Sequence, residues 1–158
     1  TPDADRALMS RLLAQAGEGA AMPPSKLREH FDLINATLAG DDLLAIDQRL
    51  RALQSDDPWL QTAVKTYAKG APSSVALSWA LWQRVPRMSL AEVFRLEYWA
   101  SLGFCAHADF AEGIRAVLVD KDRNPKWNPA TLAEITPAFV EDHLRARGAM
   151  APELVPLV

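Results

Sequence analysis

Every apolar run in this chain repeats at three- or four-residue spacing, and each is cut off by proline, glycine or a capping residue. Side chains at i, i+3/i+4 and i+7 share one face of an α-helix, whereas a half-buried strand needs alternation. No convincing alternation occurs anywhere. Proline at the first helical position gives up an amide that the helix would leave unpaired, so it marks helix starts. Thr1–Pro2, Asp57–Pro58 and Thr136–Pro137 are such starts, and Pro72 opens another. Ser89–Glu92 and Thr131–Glu134 read as capping boxes, in which hydroxyl and carboxylate each satisfy an orphan amide. The expectation is an all-α chain of about eight short helices, without internal repeats.

In chain order, Leu8, Leu12 and Leu13 form a short stripe ending near Gly17. Gly17 to Pro24 is flexible and then proline-stiffened, so residues 1–24 read as a leading helix and linker. Residues 25–148 form a helical region. Phe31, Ile34 and Leu38 stop at Gly40; Asp41 or Asp42 caps the helix of Leu43, Ile46, Leu50 and Leu53; Leu60, Val64 and Tyr67 precede Gly70. Val75 to Val85 is apolar almost all round and therefore reads as central, with Trp79, Trp82 and Trp99 as core. Leu90, Val93/Phe94, Tyr98, Leu102 and Cys105 share the expected inner face of the next helix. Asp109 reads as a cap for a stripe of Phe110, Ile114 and Val117/Leu118. The last helix points Phe139/Val140 and His143/Leu144 inward and runs to Gly148. Residues 149–158 hold two prolines and no helical period, so this tail is expected to fray unless docked.

Composition closes several routes. The formal net charge is −3 with both signs interspersed, so no basic field invites nucleic acid or an anionic membrane. One cysteine and three scattered histidines offer neither a disulfide framework nor metal-ligand spacing. No apolar run approaches the ~20 residues of a membrane span. No charged-then-apolar leader opens the chain, so a reducing compartment is expected: cytoplasm, or a mitochondrial matrix in a eukaryote. Cys105 and His107 stand two apart, which on a helix points them to different sides. They do not make a nucleophile–base pair.

The stretch from Asp109 to Pro129, DFAEGIRAVLVDKDRNPKWNP, is the most distinctive in the chain. An amphipathic helix runs into Asp120–Lys121–Asp122 and then a double-proline segment around one tryptophan. The stretch resembles the C-terminal signature of the 3-hydroxyisobutyryl-CoA hydrolases, a branch of the enoyl-CoA hydratase/isomerase (crotonase) superfamily. Their pattern runs D-F-x-E-G-V-R-A, two apolar residues, D-K-D, a gap and P-x-W-x-P. Pro72–Ser73–Ser74 is similar to the family's S-P-x-S helix start, and Glu97–Tyr98 to its E-Y/F-R, with Trp99 in place of the arginine.

The resemblance implies a helical C-terminal region whose catalytic carboxylates and oxyanion-hole amides lie in an N-terminal crotonase core. No residue here is then expected to be catalytic, and no metal or separate cofactor is implied, coenzyme A being part of the substrate. It implies a thioester hydrolase of valine catabolism, with the helices capping the acyl-CoA site. Expected partners are that core, acyl-CoA and a further copy of the chain. Lys121 and Lys126 become candidates for CoA phosphate contacts, since lysine is a mobile point charge suited to phosphate. The alternative for Lys121 is a solvated helix end screened by its two acidic neighbours. Trp127 is expected to anchor the proline segment rather than stack on adenine. Glu112 and Arg115, three apart, form a surface pair or part of a network and count as structural anchors. An enoyl-CoA hydratase or isomerase of the same superfamily, and a non-enzymatic helical module that binds a protein partner, are the competing readings.

Overall fold

The computed structural model describes residues 1–19 and 23–155. Among the described residues there are nine α-helices and no strand, in agreement with the all-α expectation. The chain divides into two compact units, Thr1–Ala36 and Thr37–Val158.

The first unit opens with α1 (Pro2–Gly17), capped by Thr1, whose Oγ1 accepts from the Ala4 amide at 3.4 Å. None of its residues is buried, and Leu8, Met9, Leu12 and Leu13 are all exposed. Ser25 caps the single turn α2 (Lys26–Glu29). Helix α3 (Phe31–Leu38) follows. Of the expected linker, Ala20, Ala21 and Met22 lie outside the described residues.

In the second unit most of the local start signals act as read. Asp42, not Asp41, caps α4 (Leu43–Ala52) by accepting from the Leu44 and Ala45 amides. Asp57 caps α5 (Pro58–Lys69). Arg49 Nε donates to the Thr37 carbonyl at 2.9 Å and its Nη2 to the Ala39 carbonyl, which closes the turn before α4. Helix α6 (Pro72–Arg84) ends in a 3₁₀ turn, Val85–Arg87, where Pro86 sits. Both halves of the Ser89–Glu92 capping box form at the start of α7 (Leu90–Ala106). Helix α8 (Ala108–Ile114) passes directly into a π-helical turn, Arg115–Val119, and α9 (Pro137–Leu144) starts on the Thr136 cap.

The core lies among α6, α7 and α9: Leu77, Ala100 and Leu144 are buried, with Leu81, Leu96, Phe104 and Val140 packed around them. Close approach rather than bulk selects the inner face of α7. A Cβ on Gly103 would come within 2.1 Å of the His143 carbonyl oxygen, so only glycine lets α9 lie there. Small residues Ala91, Ala100 and Gly103 are therefore buried. The expected face is turned outward at Leu90 and Phe94, and Cys105 is exposed rather than a small hydrophobe in the core. On α9, His143 stacks on His107 with ring centroids 3.6 Å apart.

Further differences have equally local causes. Helix α6 is buried at Pro72, Ser73, Ala76 and Leu77, but Trp82 is 72% exposed, so its apolar periphery is not all core. Thr131 precedes a 3₁₀ turn, Leu132–Glu134, and its hydroxyl donates to Glu134 instead of accepting an amide. Helix α9 stops at Leu144, where Asp142 collects Arg145 and Arg147 and turns the chain. The tail docks: Arg95 donates to the Leu154 and Val155 carbonyls, and residues 156–158 lie outside the described residues.

Candidate functional site

Asp109, read as a cap, is instead buried inside the first turn of α8, whose N-cap position is taken by His107. Its Oδ2 accepts from Ser73 Oγ at 2.5 Å and its Oδ1 from the Asn128 amide at 2.8 Å. Three residues on, Glu112 Oε1 accepts from the Lys126 amide at 2.6 Å. Three further on, Arg115 Nη2 donates to the Asn124 carbonyl at 3.3 Å. Side chains at i, i+3 and i+6 of a helix thus hold every second residue of an extended strap running the opposite way. Three helical residues advance about 4.5 Å and two extended ones about 6.6 Å. Lengthening of the row from Asp to Glu to Arg keeps the unequal repeats in register.

The strap alternates accordingly. Asn124, Lys126 and Asn128 are exposed, whereas Pro125, Trp127 and Pro129 are half-buried. The prolines stand where no amide is asked to donate. Trp127 Nε1 donates to the Lys69 carbonyl at 3.0 Å, and its ring lies over Gly113, where a Cβ would still leave 3.4 Å. The indole therefore ties α5, α8 and the strap together.

Arg115 is the centre of the charges. It forms two bonds of 2.8 Å with Glu112, and its Nη1 donates to Asp120 at 2.6 Å and to Asp122 at 2.9 Å. The guanidinium fork suits such multiple pairing, and bonds to charged partners are the stronger ones. Arg115 and the Lys126 amide hold the Glu112 carboxyl down at about 2. The Asn124 amide, and then Arg115, lower Asp122, while the carboxylates raise Arg115. Lys121 is thus not clasped by its acidic neighbours. Lys121 (φ 57°) and Arg123 (φ 53°) both occupy the left-handed region, which costs a non-glycine residue about 1–2 kcal/mol. The turn is held by the Arg123 amide on the Ala116 carbonyl and the Asn124 amide on Asp122. Among the described residues, the side chains of Lys121, Arg123 and Lys126 form no ion pair.

Beside this turn the apolar stripe of α8 and the π turn is bare: Phe110, Ile114, Val117 and Leu118, joined by Val119, are between 38% and 68% exposed. Phe110, Ile114, Val117 and Leu118 border an open groove of about 340 Å³ that Phe104 and Trp127 also line. Arg123 is not singled out from the sequence, and Asp109 reads there only as a cap. The D-x-x-E-x-x-R spacing was the available signal for Asp109. Cys105 and His107 are not brought together as a reactive pair: His107 is engaged with Gly103, Asp142 and the His143 ring. No described helix is long and apolar enough to cross a membrane.

A family model described as Enoyl-CoA hydratase/isomerase matches residues 2–144. The chain is 34% identical over 122 residues to the mitochondrial 3-hydroxyisobutyryl-CoA hydrolase of Gallus gallus, covering 77% of this chain and 31% of that protein. With the Homo sapiens protein of the same name it shares 32% over 123 residues, 78% of this chain and 31% of that protein. The chain therefore spans about a third of the length of these relatives. A carnitinyl-CoA dehydratase from Mycobacterium thermoresistibile has a TM-score of 0.72 and 33% identity, over 91% of this chain and 42% of that one. For an enoyl-CoA hydratase from Rhodobacter sphaeroides 2.4.1 the values are 0.68 and 32%, over 91% and 43%.

Proposed function

Because this chain belongs to the enoyl-CoA hydratase/isomerase family, we propose that it is the C-terminal helical part of a 3-hydroxyisobutyryl-CoA hydrolase-like enzyme. The observation that carries the reading is the bare stripe Phe110–Ile114–Val117–Leu118 on the very helix that bears the hydrolase-like signature. Exposed apolar surface of this kind marks an interaction site, and its occupant is a crotonase core of the same enzyme. That core stabilises the thioester oxyanion with backbone amides and supplies the carboxylates that handle water. The helices cover the acyl pocket and exclude bulk water, which strengthens electrostatics inside it. Lys121 and Lys126 reach the CoA phosphates. The reaction class is hydrolysis of a hydroxyacyl-CoA in valine breakdown, in the compartment where the partner core resides.

The experiment is a comparison of this chain alone with the chain joined to a crotonase core, assayed with 3-hydroxyisobutyryl-CoA and with an enoyl-CoA. The expected result is no turnover by the 158 residues alone and thioester hydrolysis by the joined protein. Hydrolysis by the isolated chain would refute the division of labour. Hydration of the enoyl ester in place of hydrolysis would move the reading to the hydratases, as which the Rhodobacter sphaeroides structure above is named.

A further inference from the structure

The cations of the 120–126 turn stand in a chain of net negative charge, interleaved with acids in sequence. Residues 112–126 hold four cations (Arg115, Lys121, Arg123, Lys126) against three acids (Glu112, Asp120, Asp122). All three acids bond one residue, Arg115. Among the described residues the three remaining cations carry no ion pair and are exposed, on a turn strained into the left-handed region at Lys121 and Arg123. Strained backbone that its surroundings over-determine is characteristic of ligand clamps. The π turn serves the same end. Its Asp120 amide bonds back to the Arg115 carbonyl at 2.8 Å, which brings the Asp120 carboxylate round beneath the guanidinium that precedes it by five residues.

We infer that Arg115 is a positioning residue for the polyphosphate end of the ligand: it masks Asp120 and Asp122, so that Lys121, Arg123 and Lys126 meet the phosphates without competition. Arg115 does not itself touch the ligand. It acts by sequestering carboxylates that would otherwise stand beside Lys121 and repel the same anion. The inference rests on the reading of this turn as a CoA-facing site. It goes beyond that reading in assigning a role to Arg115, adding Arg123 to the contact set, and explaining how a D-K-D sequence accepts an anion.

The test uses this chain joined to a crotonase core and two substrates, a CoA thioester and the matching pantetheine thioester, which lacks the nucleotide phosphates. Each carboxylate freed beside the cations repels the same anion and offsets part of their attraction for it, an effect of roughly fivefold in affinity per close charge pair in water. Arg115→Gln is therefore expected to raise KM for the CoA ester about fivefold to thirtyfold, with kcat unchanged and the pantetheine KM unmoved. Adding Asp120→Asn and Asp122→Asn to that variant is expected to bring the CoA KM back to within about threefold of the parent, because the acids needing a mask are gone. A loss on both substrates, or a triple variant no better than Arg115→Gln, overturns masking and leaves only a structural role. Should Arg115→Gln fail to fold, Asp120→Asn/Asp122→Asn in the parent background still decides. Masked acids predict a CoA KM within about twofold of the parent, and a gain of tenfold would show that they were never masked. A parent enzyme that does not distinguish the two esters would overturn the CoA-facing reading itself, and masking with it.

Discussion

Replacing Gly103 by alanine should destabilise this protein although alanine is the better helix former. The new Cβ would lie 2.1 Å from the His143 carbonyl oxygen, 2.8 Å from its carbon and 2.9 Å from its Cα. A carbon–oxygen contact ordinarily rests at about 3.3 Å or more, so α7 and α9 must part by roughly 1 Å. No rotamer change can relieve a clash with backbone. A gap of that size forfeits a quarter to a half of each dispersion contact it opens, here among Leu77, Ala100 and Leu144. Overpacking costs about 1–3 kcal/mol; with backbone on the receiving side the upper end applies, near 3 kcal/mol. Helix propensity returns about 1 kcal/mol, leaving a net loss of about 2 kcal/mol, or a Tm lower by about 4–8 °C. Gly113→Ala is the internal control. Its Cβ would meet only Trp127 ring carbons at 3.4 and 3.7 Å, an ordinary contact, so it should keep most of the propensity gain of about 1 kcal/mol. Urea unfolding of both variants, followed by circular dichroism at a common m-value, reads the difference as the separation of midpoints. Midpoints that shift together, or a Gly103→Ala midpoint at or above the parent's, would refute the close-approach argument.

Asp109→Asn keeps the shape but replaces two charge-assisted acceptors in a buried position, and should cost about 2–3 kcal/mol, with faster amide exchange at Asn128 as its local signature. Glu112 titrates at about 2 in the folded chain, below its ordinary value near 4.5. Its contribution to strap order is therefore present above pH 5 and lost as pH falls toward 2; Lys126 amide exchange against pH reports it, and Glu112→Gln should flatten the profile. Burial lowers His143, so folding stability should decline as pH drops below its unfolded value of about 6.5, and His143→Phe should weaken that decline in denaturation midpoints taken between pH 5 and 8. Cys105, being exposed, should react fully with a thiol reagent in the native chain; a silent thiol would place it back inside.

What could be read without coordinates follows the range over which each interaction acts. Caps are decided within three residues, and Asp42, Asp57, Ser89 and Thr136 all cap as their sequences suggest. The 109–129 stretch was legible as a unit because its motif is continuous. How the unit is built was not, since a three-residue helical repeat against a two-residue extended repeat becomes visible only once the strap lies on α8.

The linear sequence by itself determined the helices, most of their ends and the presence of a charged turn after an apolar stripe, because periodicity and capping are properties of neighbouring residues. Tertiary structure alone decided which face of α7 is inside, since that rests on the fit of Gly103 to His143 forty residues away. It alone decided that Asp120 and Asp122 bond Arg115 and that Lys121 between them is left exposed. Charges adjacent in sequence pair by distance and direction in space, and those are fixed only by the folded backbone.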